Sequence, residues 1–108
     1  MIKMSQPETN PDCITLSDLQ GLFESGIPFT LIDVREPHEW ASGHLEGAQH
    51  IPLGQLLTAP EVLAPLNRSE PMVVYCQHGI RSMNAVRYLR DKGFDAFNLL
   101  VDWPSIHP

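Results

Sequence analysis

The chain has 108 residues, enough for one domain with a modest core, and 43% of them are hydrophobic. Thirteen acidic residues against seven Lys and Arg give a formal net charge of −6, which argues against binding to nucleic acid or an anionic membrane surface. Two cysteines, Cys13 and Cys76, are too few for a disulfide-stapled secreted scaffold. The first twelve residues carry no apolar signal segment, and no apolar run approaches the ~20 residues that span a bilayer. A reducing, cytoplasmic setting is the expectation.

Residues 1–12 are polar, contain two prolines and are expected to form a loose arm, with the folded domain over 13–108. Ser17-Asp-Leu-Gln20 has the pattern of a capping box. The helix it predicts carries Leu19, Leu22 and Phe23 on an apolar stripe and ends at Gly26. Phe29 to Val34 is a β-rich apolar run and predicts a buried strand. Pro37 opens a short helix that Gly43 stops. A short strand is expected over 48–51, then short helices over 53–57 and 60–66. Met72 to Tyr75 is the clearest strand.

Ser82 to Lys92 is the clearest helix, with Ala85, Val86 and Leu89 inward and Gly93-Phe94 closing its end. Four of the seven cations (Arg81, Arg87, Arg90, Lys92) fall in this part of the chain, and Arg87 and Arg90 read as a solvated face able to draw in anions. A last strand runs from Ala96 to Val101. Apolar strands alternating with helices predict an α/β fold, a parallel sheet covered on both faces.

The chemistry concentrates where the strand ending at Tyr75 runs into Cys76-Gln77-His78-Gly79-Ile80-Arg81-Ser82 and then into a helix. In open α/β sheets, ligands bind beyond the carboxyl ends of the strands. A short loop there can turn successive backbone N–H groups inward as an anion nest, and the helix N-terminus adds its positive partial charge. Such a field favours thiolate over thiol at Cys76. Gly79 permits the tight turn, and Arg81 either reaches over an anion or pins the loop.

The arrangement Cys-x-x-Gly-x-Arg-Ser after a buried strand resembles the active-site loop of rhodanese-like domains. Asp33-Val-Arg-Glu-Pro-His-Glu-Trp40 resembles the first motif of that family. Gly43-His-Leu-Glu-Gly-Ala48 with Ile51-Pro52 resembles the second, and Trp103 stands where the family often has a tryptophan. The resemblance implies a five-stranded, mostly parallel sheet with helices on both faces. It also implies a sulfurtransferase in which Cys76 takes the outer sulfur of thiosulfate or a persulfide as its own persulfide. A thiol or a sulfur-carrier protein would then accept it, and no cofactor would be needed.

Cys76 and Arg81 are separated by four residues, one fewer than in the related dual-specificity phosphatases. The shorter loop suits one sulfur atom better than a phosphate. Gln77 and His78 replace the loop cations of some thiosulfate-using members, so donor binding is expected to rest on backbone amides and Arg81. Leu99-Leu-Val-Asp-Trp103 lacks the paired glycines usual before the tryptophan, and Pro108 follows too soon for a full terminal helix. A non-catalytic binding module with the same fold stays open for that reason.

Asp33 and Arg35 are expected to form a buried structural ion pair supporting the loop. His78 is placed either to tune Cys76 or to face solvent. His38, His44 and His50, six apart, match no compact metal-ligand pattern. Cys13 is expected to be inert, and Trp40 to be a core or rim aromatic.

Overall fold

The computed structural model describes residues 12–101. Five parallel strands form one sheet: β1 (Cys13–Thr15), β2 (Thr30–Asp33), β3 (Gln49–His50), β4 (Pro71–Tyr75) and β5 (Asp95–Leu100). Their spatial order is β1-β5-β4-β2-β3, so β4 is the middle strand. Helices α1 (Leu16–Ser25), α2 (Pro37–Ala41), α3 (Leu53–Thr58) and α4 (Ile80–Asp91) connect them, with a single 3₁₀ turn at Pro60–Leu63. Residues 1–11 of the expected arm, Trp103 and the other residues after 101 lie outside the described residues.

The sheet divides the core in two because successive strand side chains point to opposite faces. On one face Ile32, Met72, Val74, Cys76 and Ala96 pack against Leu56 of α3 and Ala85, Val86 and Leu89 of α4. On the other, Ile14, Leu31, Val73, Tyr75 and Leu99 pack against Leu19 and Leu22 of α1. Val73 and Val74 are both fully buried, which is why β4 reads as an unbroken apolar run. Each such side chain contributes about 1.5–3 kcal/mol of burial free energy.

Several expectations shift. The first helix is capped by Thr15, two residues before Ser17: Thr15 Oγ1 accepts the Asp18 N–H at 3.1 Å, and Asp18 Oδ2 accepts the Thr15 N–H at 2.9 Å. β1 ends at Thr15, which fixes the cap there, and a carboxylate at Asp18 is a stronger reciprocal acceptor than the Gln20 amide. Phe23 is 54% exposed and lies edge-on to Phe29, outside the buried stripe. Gly43 does stop the short helix α2: it follows the C-cap Ser42 at φ 139°. The 60–66 segment is helical only as far as Leu63.

The other end signals hold. Gly26 takes the left-handed conformation at the end of α1. At the end of α4, the Phe94 N–H donates to the Leu89 carbonyl and the Gly93 N–H to that of Arg90, both at 3.0 Å. Arg90 is not a free solvated cation: it donates to the Ala96 carbonyl at 2.7 Å, pairs with Asp12 at 2.9 Å and lies over the Phe97 ring. Asp12 also accepts the Asn98 N–H through its carbonyl at 2.7 Å. Arg87 is exposed as expected.

Candidate active site

Cys76 follows directly on the middle strand and is 1% exposed. Helix α4 begins at Ile80, two residues earlier than its sequence pattern suggests, so Ile80 and Arg81 belong to its first turn. The reason is Gly79. It occupies the N-cap position at φ 91°, a left-handed conformation that turns the chain into the helix at once. Gly79 has no side chain to cap the helix. The Cys76 sulfur serves instead, accepting the Ser82 N–H at 3.3 Å and the Gly79 N–H at 3.1 Å. An N–H of the third helical residue normally goes to a capping oxygen; here it goes to sulfur. Two backbone donors and the helix N-terminus therefore converge on one sulfur atom.

The other loop side chains divide by exposure. Gln77 is half-buried, His78 is exposed, and Ile80 is 74% exposed at the mouth. Ser82 is fully buried, with its hydroxyl 3.3 Å from Cys76 Sγ. The same hydroxyl donates to Asn98 Oδ1 on β5. Asn98 was not singled out by the sequence, because only the β4–β5 register, Val74 opposite Asn98, brings it behind the loop.

Arg81 does not reach over the sulfur. It donates through both Nη groups to the carboxylate of Glu39 on α2, at 2.8 and 2.9 Å. The Arg81 guanidinium holds the Glu39 carboxyl down at about 2. Of the two roles open to Arg81 from sequence, this contact is the arrangement expected if it pins the loop. Glu39 is the second residue that the sequence left unmarked, although it lies inside the first motif.

Asp33 and Arg35 meet in a buried pair, 0% and 1% exposed. Asp33 Oδ1 accepts the Arg35 backbone N–H at 2.8 Å, and Oδ2 accepts Nη2 at 2.8 Å. Arg35 Nη2 also donates to the Gly43 carbonyl at 2.6 Å, tying β2 to the end of α2. Tyr75 lies beside this pair, its hydroxyl accepting the Leu45 N–H at 2.9 Å, and burial raises its pKa above the usual phenol value. Trp40 stacks on His44 at 3.5 Å and on His50 at 4.7 Å between ring centres. His50 Nε2 donates to the Arg35 carbonyl at 2.8 Å, so that ring braces the loop after β2. Cys13 is buried in β1, and burial raises its thiol pKa. Among the described residues no group of His, Cys, Asp or Glu is arranged to hold a metal ion.

A family model described as the rhodanese-like domain matches residues 15–106. The chain belongs to this family. Rhodanese-like relatives include the probable adenylyltransferase/sulfurtransferase MoeZ of Mycobacterium tuberculosis, 40% identical over 83% of this chain and 24% of MoeZ. The thiosulfate sulfurtransferase GlpE of Stutzerimonas stutzeri is 36% identical over 59% of this chain and 56% of GlpE. Thus the chain spans about a quarter and about half of these two relatives. Among solved structures, a human single-domain sulfurtransferase superposes with a TM-score of 0.72 at 27% identity, covering 87% of this chain and 93% of the human one. The rhodanese-like sheet order and the helices on both faces agree with the fold expected from sequence. No helix of the described residues is long and apolar enough to cross a membrane.

Proposed function

We propose that this rhodanese-like chain is a thiosulfate or persulfide sulfurtransferase that carries sulfur on Cys76, in a reducing, cytoplasmic setting. The observation that supports this most directly is the convergence of the Gly79 and Ser82 N–H groups on Cys76 Sγ at the N-terminus of α4. Donors aimed at sulfur stabilise the negative charge that the nucleophile needs.

The chemistry balances in two steps. The Cys76 thiolate attacks the outer sulfur of thiosulfate; a new S–S bond forms, the thiosulfate S–S bond breaks, and sulfite leaves with the electron pair. A thiol or sulfur-carrier acceptor, as thiolate, then attacks the terminal sulfur of the Cys76 persulfide and releases the Cys76 thiolate. The name of the GlpE relative supports thiosulfate as donor. The spacing of four residues between Cys76 and Arg81 favours a single sulfur over a phosphate.

Intact-mass spectrometry after incubation with thiosulfate tests the proposal. Expected is a gain of about 32 Da, one sulfur atom, reversed by cyanide and absent in Cys76→Ala. A second reading, a non-catalytic binding module, draws on the 1% exposure of Cys76. No mass gain from thiosulfate or from a small persulfide, in a folded protein, would favour that module.

A further inference from the structure

Behind Cys76, Ser82 and Asn98 form a polar chain whose side chains are 0% and 3% exposed. Excluded from water, each of their protons must go to a neighbouring protein group. Asn98 Nδ2 faces the Gly79 carbonyl at 3.3 Å and the Cys13 sulfur at 4.0 Å, both acceptors. The reverse orientation would set one carbonyl oxygen against another. Asn98 Oδ1 therefore faces Ser82 and accepts its hydroxyl hydrogen bond.

A serine hydroxyl has one proton. With that proton engaged in the hydrogen bond to Asn98 Oδ1, the Ser82 oxygen turns its lone pairs towards Cys76 Sγ, 3.3 Å away. A Cys76 thiol meets this acceptor well: its S–H donates to Ser82, which donates to Asn98. A thiolate meets a lone pair instead, unless the hydroxyl swings round and gives up Asn98. The backbone N–H groups and the hydroxyl thus act in opposite senses on the same sulfur. Of the charged and titratable groups in the loop, Arg81 is paired with Glu39, and His78 is a solvent-exposed residue.

We infer that Asn98 is a positioning residue that, by accepting the Ser82 hydroxyl hydrogen bond, holds resting Cys76 as a hydrogen-bonded thiol. The inference deepens the sulfurtransferase reading and rests on Cys76 as its reactive group. Asn98 restrains the nucleophile until the Ser82 hydroxyl is turned, and the cost of that restraint is one hydrogen bond.

Iodoacetamide alkylation of Cys76, followed by peptide mass spectrometry across pH, reads the thiol directly and independently of sulfur loading. Asn98→Leu, and Asn98→Ala as a smaller alternative, are expected to raise the acid-side rate about three- to tenfold, the effect of one hydrogen bond. At alkaline pH, where the thiolate dominates in every variant, the rates converge with wild type. Ser82→Ala alone is expected to raise the acid-side rate similarly, and adding an Asn98 substitution to it to change nothing further. A fall in Ser82→Ala would show that the hydroxyl donates to sulfur and would overturn the inference. So would a rise at all pH values in both backgrounds, which marks a loosened loop.

Discussion

Arg81 and Glu39, 42 positions apart in sequence, form a two-point ion pair that fastens the first turn of α4 to α2. The same Glu39 carboxylate accepts the Glu36 N–H at 2.8 Å, so one side chain both caps α2 and anchors the Cys76 loop. Arg81 is thereby committed to loop shape.

This pair makes stability depend on pH. Glu39 is held down to about 2 when folded, against its ordinary value of 4.5, with the hydrogen-bonded Arg81 as the chief cause. A depressed carboxylate contributes stability above its unfolded value and loses it as pH falls from about 5 towards 2. Both side chains are partly exposed (32% and 16%), so solvent screening leaves roughly 1 kcal/mol. Urea denaturation of Glu39→Gln should show that deficit at pH 7, and the gap to wild type should close near pH 2.

Capping of α1 offers a direct comparison. Thr15 Oγ1 accepts the Asp18 N–H at 3.1 Å, whereas no capping bond involves Ser17. Thr15→Ala should cost about 1 kcal/mol, and Ser17→Ala less than about 0.5 kcal/mol. A larger loss from Ser17→Ala in urea denaturation would move the cap back to the position its sequence pattern suggests.

Asp33→Asn keeps the side-chain shape but leaves the Arg35 guanidinium buried without its counter-charge. Breaking a buried pair in this way costs about 3–5 kcal/mol. The Arg35 bond to the Gly43 carbonyl would persist, so the variant should remain folded at low temperature with a clearly reduced melting point. A melting point within a degree of wild type would contradict the assignment of this pair as a structural strut.

Gly79→Ala separates backbone strain from crowding. A Cβ there would meet Asn98 Nδ2 at 3.8 Å, an ordinary contact, but φ is 91°. The expected loss is therefore conformational, about 1–2 kcal/mol, with sulfur loading slowed because the Gly79 N–H no longer aims well at Cys76. Denaturation and the intact-mass assay on the same variant check both halves.

The sequence by itself marked the elements whose signals are short in range. Gly26, Pro37 and the Gly93-Phe94 pair announce helix ends through φ preference or a missing N–H, and each sits at or beside the boundary it marks. The unbroken apolar run at β4 announced a strand buried on both faces. The Cys76 loop and the Asp33–Arg35 pair were legible for the same reason: their partners lie within a few residues of one another. Thr15 was passed over because two overlapping capping patterns differ only in where the preceding strand stops. Glu39 and Asn98 could not be read at all. Asn98 meets Ser82 only because β5 pairs with β4 in a register that puts Val74 opposite Asn98. A slip of one residue would turn Asn98 to the other face of the sheet. Local dihedral preferences and spacing set the loop and place its cysteine; strand order, register and helix docking, which depend on the whole core, chose the residues that hold the loop.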